Sequence, residues 1–261
     1  MAANEKLPGI ASAAWFGLAF LYAPIAVVIF FSFNAGNLVT VWEGFSTAWY
    51  TSALENEDLR RATINSLIVG AGATVCSTII ALMVAIAMRG GTVPNRLQQT
   101  TYTLMTLPLL IPEIVIAIAS MTFFAAIGLK LGLGNVLLAH TVFCIPFAYS
   151  PIRARIETIP PAMSEAAADL YAGPWQATRY VTLPLLLPGV FSGAMLAFIT
   201  SIDDFIITQM VAPPGAMTLP VYIYSMVRKG ITPEINAISS LLLVVSMVMV
   251  FASFVINQRK T

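Results

Sequence analysis

The sequence contains few charged residues. Lys and Arg number 13 and Asp and Glu number 12, so charged residues make up 10% of the 261 positions. An ordinary soluble domain has roughly 25%. Hydrophobic residues reach 58%, more than folding alone can hide from water, because a soluble surface needs polar side chains. These values exclude a soluble enzyme, a disordered chain and, with a net charge of only +1, a nucleic-acid-binding protein.

Cysteine and histidine are also scarce, which limits metal and redox chemistry. Cys76 and Cys144 both fall in apolar segments, where we expect small buried side chains instead of a disulfide or a metal site. His140 is the only histidine; a proton relay is one reading, but such a residue more often hydrogen-bonds a neighbouring helix. The sequence has no Gly-rich phosphate loop, so we predict no catalytic residue and no metal or cofactor bound by this chain.

Long charge-free segments dominate the chain. A helix needs about 20 apolar residues to cross the hydrocarbon core of a bilayer, and six segments are long enough, one of them interrupted only by Glu113. These segments lack the alternation of a β-barrel strand. The sequence therefore predicts an all-α membrane protein with a single transmembrane domain over 1–261. Its six helices are expected at about 10–33, 62–88, 100–125, 132–151, 186–211 and 235–257.

Two further observations fix the topology that we expect. The stretch between Asp204 and Arg228 is also uncharged, but Pro213, Pro214 and Pro220 prevent a continuous membrane helix. We therefore interpret it as the end of span 5 followed by an outer loop. With the N-terminus inside, eight Lys and Arg residues lie on the cytoplasmic side and five outside, which follows the positive-inside rule. Both termini are thus predicted to be cytoplasmic.

The longest cytoplasmic connection, about 151–185, contains a short Ala-rich segment. Pro160 and Pro161 suit the first turn of a helix, and Gly173-Pro174 suits its end. A second short segment is expected from Trp175 to about Thr182, with Pro184 ending it. Small side chains let another protein approach the helix backbone closely. From composition alone, docking and a solvated surface helix are equally good interpretations.

The same loop resembles a known motif. Glu165-Ala166-Ala167 is followed, eighteen residues after the Glu, by Leu183-Pro184, and this is similar to the EAA loop of ABC importer permeases. Val181 stands where that family prefers Ile. Tyr171 stands where the family usually has Gly, six residues after the Glu, and Gly173 follows it.

This resemblance implies a type I ABC importer permease in which the loop between spans 4 and 5 is a coupling helix. It implies a cytoplasmic ATPase dimer that binds ATP and Mg²⁺, so that ATP hydrolysis takes place outside this chain, which is not itself an enzyme. Closure of that dimer would move the spans between inward-open and outward-open states. The residues implied in ATPase coupling are Glu165, Ala166, Ala167, Asp169, Tyr171 and Gly173.

Three acidic residues fall inside predicted spans: Glu113 in span 3, and Asp203 and Asp204 in span 5. An acidic residue at a helix centre costs about 2.5–3.5 kcal/mol on insertion scales, and no Lys or Arg lies in a predicted span to pair with these three. Carboxylates that line a cavity attract a cation. The alternative is that they are protonated or pair with a basic residue of a partner subunit. Adjacent residues on a helix point about 100° apart, so the two aspartates cannot both face one cavity fully. The alternative role for one of them is helix packing or a hydrogen bond between helices.

Longer stretches of the chain resemble the permease subunits of putrescine/spermidine ABC importers, in order and over nearly the whole length. They are WYTSALENEDLRRATINSL before span 2, LPLLIPEIVIAI around Glu113, SIDDFIIT around the Asp pair and TLPVYIYSMVRKGITPEINA before span 6. The similarity is greatest to the second of the two permeases in such an importer. It implies a multi-pass protein of the bacterial inner membrane.

The implied partners are a second homologous permease, the ATPase dimer, an extracytoplasmic polyamine-binding protein and membrane lipid. Tyr222 and Tyr224 are candidates for cation–π contact with a polyamine, although an interfacial aromatic belt is the more common use of such residues.

Three other functions compete with this interpretation. An ABC permease for ferric iron or an organic cation needs the same motifs, whereas an anion is disfavoured by unpaired acidic residues. An ion-coupled secondary transporter is expected to contain inverted repeats, which we do not find. An intramembrane aspartyl protease needs two aspartates on different helices at one centre, and here they are adjacent.

Overall fold

The computed structural model describes residues 9–39, 41–89, 93–230 and 232–258, and their side chains except at 10, 11, 245, 246 and 248–258. In this part of the chain, the secondary structure is helical apart from one isolated β-bridge between Asn34 and Phe45. The helices are α1 (Ile10–Phe31), α2 (Ala48–Glu55), α3 (Glu57–Ala87), α4 (Asn95–Thr106), α5 (Glu113–Ala126), α6 (Leu133–Glu157), α7 (Ala162–Asp169), α8 (Pro174–Ala177), α9 (Leu183–Asp203), α10 (Ile206–Val211), α11 (Leu219–Lys229) and α12 (Pro233–Gln258).

The described chain divides into two compact units. One contains the residues up to Arg60 and those from Ile223 onward, and the other is Arg61–Tyr222. In the first unit, α12 packs against α1 and α2. Asn56 after α2 also donates a hydrogen bond to the Glu234 carboxylate in the first turn of α12, at 3.1 Å. The prediction of one permease domain over 1–261 stays a prediction.

A folded loop follows α1 in the first unit. The Asn34 side chain is fully buried and donates hydrogen bonds to the carbonyl oxygens of Leu38 and Val41, at 2.9 and 2.7 Å. Its amide oxygen accepts a third bond from the backbone N–H of Glu43, at 2.8 Å. One asparagine therefore holds the conformation of the loop.

Helix α6 is the centre of the second unit. Its inner surface carries Cys144, Ala148 and Ile152, which form an apolar core with residues of α3 and α9. Nearer its start, Ala139 and Phe143 join a second core with residues of α5 and α10. Prolines 146 and 151 lie within this helix without ending it, because neighbouring helices satisfy the released backbone groups of membrane helices.

Helix α9 packs closely on α6 through two glycines four residues apart, Gly189 and Gly193. A Cβ atom added to Gly189 would lie 2.5 Å from the Cβ of Arg155, and one added to Gly193 would overlap the backbone carbonyl oxygen of Ala148. The sequence G-V-F-S-G at 189–193 is a GxxxG motif, which brings membrane helices into close contact.

The predicted span 3, 100–125, is wrong as a single helix. Helix α4 is extended by a 3₁₀ turn at Leu107–Leu109 and then stops, and α5 begins at Glu113. The axes of the two segments are bent by 99°. Pro112 precedes α5 in an extended conformation and has no N–H to continue the first helix.

The predicted span 5, 186–211, and the loop bounds 151–185 also differ from the structure. Helix α6 continues to Glu157, and α8, a π-helical turn at Thr178–Thr182 and α9 form one continuous segment, Pro174–Asp203. The connecting loop is therefore only 158–173. Pro184 lies in the first turn of α9 and does not end a helix. The chain breaks instead at Asp204, so α10 takes the place of the end of the predicted span, and α11 lies where an outer loop was expected.

Among the described residues, four helices are long and apolar enough to cross a membrane, or five if the bent pair is one span. The predicted sixth span, 235–257, falls on α12, of which the apolar portion with described side chains is Pro233–Val244. Side chains beyond Met247 lie outside the described set, so the count of six spans stays a prediction.

Candidate functional site

The structure places all three intramembrane acidic residues at the ends of broken helices. Glu113, expected near the middle of span 3, is the first residue of α5. Asp203 is the last residue of α9, and Asp204 occupies the extended link before α10. Helix α10 packs against α5. The two breaks are thereby brought together, and the Glu113 and Asp204 carboxyl groups come within hydrogen-bonding range of each other.

Asp204 is enclosed by protein donors. One carboxylate oxygen, Oδ1, accepts hydrogen bonds from the N–H and hydroxyl of Thr208, at 3.0 and 3.2 Å. The other accepts a longer bond from the N–H of Ile207, at 3.4 Å. The Nε2 atom of His140 lies 3.0 Å from Oδ1, and neither side chain has any exposed surface. Asp204 therefore caps the start of α10 and presents no surface to a solute in this conformation.

Asp203 is in the opposite situation, although it is the adjacent residue. Its side chain is exposed, and the structure shows no hydrogen bond or ion pair to its carboxylate from any residue it describes. It also lies at the C-terminal end of a 21-residue helix, where the backbone carbonyls concentrate partial negative charge. Local structure therefore gives this carboxylate no stabilisation and adds to its attraction for a cation.

Glu113 is half-buried at the N-terminal end of α5, an end that favours a carboxylate. Two carboxyl groups at hydrogen-bonding range repel each other when both are ionised. Because Asp204 is closed off, Glu113 is the member of that pair that a solute can reach. Glu113 and Asp203 are thus the two predicted acidic residues with surface available.

His140 lies on α6 and hydrogen-bonds neighbouring helices, as the sequence favoured. Its Nδ1 is 2.8 Å from the Ser201 hydroxyl on α9, and its Nε2 is 2.8 Å from the Thr208 hydroxyl on α10. The two cysteines lie in different environments. Cys144 is buried, and its thiol donates a hydrogen bond to the carbonyl oxygen of Ala197, whereas Cys76 is exposed, contrary to expectation. In the described part of the chain, no group of three or more His, Cys, Asp or Glu residues is arranged to hold a metal ion.

The two candidate tyrosines both lie on α11. Tyr222 is half-buried and Tyr224 is 41% exposed. The guanidinium carbon of Arg228 lies 5.2 Å from the centre of the Tyr224 ring, a distance at which a cation interacts with an aromatic face. This ring therefore already has a cationic neighbour in the present conformation.

The predicted coupling segment is helical and largely exposed. Glu165, Ala166 and Asp169 are exposed on α7, and Ala167 is buried where this helix packs on the helical segment that follows it. Gly173 precedes α8, and its N–H donates to the side-chain oxygen of Gln176. This helix begins at Ala162, so Pro160 and Pro161 precede its first turn and do not lie in it as predicted.

Tyr171 ends α7 in an unusual backbone conformation. Its φ is +59°, and it is the one non-glycine residue with positive φ in the described ranges. Its N–H bonds to the carbonyl of Ala168, and the N–H of Ala172 bonds to that of Ala167, the pattern of a Schellman motif. Glycine is the usual residue at such a position, and its place is taken here by a tyrosine that is 97% exposed.

Comparison with known proteins decides the family. Residues 77–259 match the family described as the binding-protein-dependent transport system inner membrane component. The chain belongs to this family.

Two curated relatives cover most of the chain. It is 35% identical over 245 residues to the spermidine/putrescine transport system permease protein PotC of Escherichia coli strain K12, covering 93% of this chain and 91% of PotC. It is also 35% identical over 234 residues to the putrescine transport system permease protein PotI of the same strain, covering 87% of this chain and 83% of PotI.

Solved structures share the fold. A chain of a bacterial ABC transporter involved in the import of the acidic polysaccharide alginate superposes with a TM-score of 0.73 at 18% identity, over 99% of this chain and 98% of that one. A chain of the MetNI methionine ABC transporter gives 0.66 at 24% identity, over 78% of this chain and 96% of that one. The prediction of an all-α, multi-pass ABC permease fold is therefore confirmed.

Sequence reasoning missed two features of this family member. The GxxxG sequence at 189–193 is visible in the sequence as two glycines in an apolar segment. The pairing of His140 with Asp204 has no such signal, because the two residues come together only through the packing of α6, α9 and α10.

Proposed function

We propose that this chain is one of the membrane subunits of an ABC importer that carries polyamines such as putrescine and spermidine into the cytoplasm. The observation that carries the proposal is the setting of Asp203. Its carboxylate is exposed at the negative end of α9, with no compensating group among the described residues. A passing ammonium group supplies the missing positive charge.

Glu113 is the second accessible carboxylate. Its carboxyl group faces the closed-off Asp204 across the α5–α10 contact, and a cation beside Glu113 relieves the repulsion between the two. Two accessible carboxylates suit a solute with more than one ammonium group. The names of PotC and PotI support the choice of polyamines as the substrate class. Tyr222 and Tyr224 are the proposed aromatic contacts.

We propose the partners on the same basis. They are a second homologous permease, an ATPase dimer that binds ATP and Mg²⁺ and drives transport, and an extracytoplasmic polyamine-binding protein. This chain binds no cofactor and hydrolyses no ATP. Both of its termini face the cytoplasm in the bacterial inner membrane, and Glu165, Ala166, Ala167, Asp169, Tyr171 and Gly173 form the surface that contacts the ATPase.

The substrate assignment is tested by uptake in the reconstituted complex with a panel of putrescine, spermidine, ferric iron and a monovalent organic cation. Asp203→Asn removes one charge-assisted contact, worth about 1.5–3 kcal/mol, and we expect the KM for polyamines to rise roughly tenfold to a hundredfold. Glu113→Gln is expected to act in the same direction. Glu57→Gln is the matched control, because Glu57 is an exposed acidic residue whose side chain lies 3.9 Å from Arg60. Wild-type KM values in both path variants refute the proposed site.

The energy source is tested separately through α7. Glu165→Ala removes an exposed carboxylate without touching the core, so we expect the complex to assemble while substrate-stimulated ATP hydrolysis falls. Stimulation equal to that of the wild type contradicts the docking role. Failure of this chain to co-purify with any ATPase favours a secondary transporter instead.

A further inference from the structure

The second unit contains one buried polar cluster that a passing solute cannot contact. It consists of His140 on α6, Ser201 on α9, Asp204 in the link and Thr208 on α10, and we refer to it as the His140 cluster. The His140 and Asp204 side chains have no exposed surface. Ser201 is 3% exposed and Thr208 is fully buried. Four polar side chains placed away from water must satisfy one another.

The hydrogen bonds of this cluster connect both sides of the α9–α10 break to α6. Ser201 precedes the break and contacts Nδ1 of His140, and Thr208 follows the break and contacts Nε2, both at 2.8 Å. Nε2 also lies 3.0 Å from the Asp204 carboxylate. A carboxylate only accepts hydrogen bonds, so a hydrogen on Nε2 is donated towards Asp204, and Nδ1 shares a hydrogen bond with the Ser201 hydroxyl. One imidazole thus contacts the residues on both sides of the break.

The apolar surroundings favour this arrangement. Ile207 and Val211 of α10 pack with Ala139 and Phe143 of α6 in an apolar core next to the cluster. An ionised carboxylate without donors is strongly disfavoured in such a place. If the imidazole is removed, Asp204 keeps the bonds from Thr208 and Ile207 but loses the contact with Nε2, and this loss lowers the cost of turning its carboxylate towards water together with the link that carries both aspartates.

We propose that His140 is a positioning residue for the translocation path: by holding Asp204 inward at the α9–α10 break, it leaves Asp203 as the aspartate that a cationic solute meets. The inference rests on the proposed function for the role of Asp203, but the inward placement of Asp204 is tested without any substrate. His140 acts through the link and does not contact the solute.

The first experiment measures the accessibility of the two carboxylates in membranes that contain the full transporter. A water-soluble carbodiimide with glycine ethyl ester labels exposed carboxylates, and fragment spectra of the peptide separate residues 203 and 204. We expect label on Asp203 and protection of Asp204 in the wild-type chain and in His140→Gln, whose amide retains a donor for Asp204. In His140→Leu, we expect label on Asp204 to rise at least about fivefold. Equal labelling of both aspartates in the wild-type chain overturns the proposal, as does continued protection of Asp204 in His140→Leu.

The second experiment separates positioning from a general loss of stability. We expect His140→Leu to raise the KM for putrescine uptake about tenfold with little change in the maximal rate, and His140→Gln to restore the KM. Thr141→Val is the matched control, because Thr141 is buried on the same helix and bonds only within it. If His140→Leu does not accumulate in the membrane, Ser201→Ala replaces it and is expected to raise both the KM and the labelling of Asp204.

A double-mutant cycle then distinguishes the possible failures. If His140 acts through Asp203, the KM effect of His140→Leu disappears in an Asp203→Asn background, because the contact that it positions is already lost. Additive effects overturn the positioning role. A chain in which Asp203→Asn alone changes nothing refutes the proposed path, and the labelling result still decides whether His140 holds Asp204.

Discussion

Replacing Gly189 with alanine tests the packing of α9 on α6 most directly. An added Cβ would lie 2.5 Å from the Cβ of Arg155 and 3.1 Å from the carbonyl oxygen of Pro151. Both atoms are fixed by the backbone of α6, so no side-chain rotation relieves the overlap. Carbon atoms attract each other at about 3.5 Å or more, and the two helices must therefore separate by roughly 1 Å at this point.

The magnitude follows from that separation. A gap of about 0.5–1 Å loses a quarter to a half of the dispersion energy of the atoms that face it, and overpacking of a close contact costs up to about 3 kcal/mol. Alanine has a higher helix propensity than glycine by about 1 kcal/mol, which offsets part of the cost. We expect a net loss of about 2 kcal/mol, and a fall in melting temperature of roughly 5 °C for a chain of this length.

The assay is thermal unfolding of the purified transporter in detergent, followed by size-exclusion chromatography after heating. Gly17→Ala is the matched control, because Gly17 lies within α1 and an added Cβ would have no neighbour within 4 Å. We expect that control to melt at or slightly above the wild-type temperature. A Gly189→Ala protein that melts with the control shows that α6 and α9 do not meet as closely as described.

Two further substitutions test local structure. Tyr171→Gly removes the left-handed strain at the end of α7 and should raise the free energy of unfolding by about 1 kcal/mol. Tyr171→Ala is the control, because it retains the strain and should not raise that free energy. Equal melting temperatures of the two variants contradict this prediction. Asn34→Ala removes three hydrogen bonds within its loop, and we expect hydrogen exchange at the Glu43 amide to quicken at least about tenfold, by the loss of about 1 kcal/mol or more per bond. Unchanged exchange at that amide refutes the role of Asn34.

Charge-free segments predicted the helices but not their ends. The predicted span ends near 151, but α6 continues to Glu157. In this extension Arg153 extends over the Tyr102 ring at 3.7 Å from its centre and bonds Glu157 at 2.7 Å. Charged residues can thus belong to a membrane helix when their long side chains reach neighbouring groups. A rule that stops a span at its first charge shortens such a helix.

Proline did not mark the breaks reliably either. Pro146, Pro151 and Pro188 lie inside helices, whereas Pro112 stands at the 99° bend. The other break has no proline and is made by Asp204, whose carboxylate caps α10. His140, which contacts Asp204, lies 68 residues before Thr208 of the same cluster. Only tertiary packing brings these side chains together, so no local pattern in the sequence predicts the break.

The contrast between the two adjacent aspartates bears on which cation the site accepts. A metal ion such as ferric iron needs several oxygen ligands converging on one point, and the described residues hold no such group. Asp204 cannot contribute, because its oxygens are already used by Thr208, Ile207 and His140. The accessible carboxylates are Asp203 at one helix break and Glu113, beside the enclosed Asp204, at the other. An ammonium group requires only one carboxylate and can keep part of its hydration, which suits the polyamine substrate proposed above.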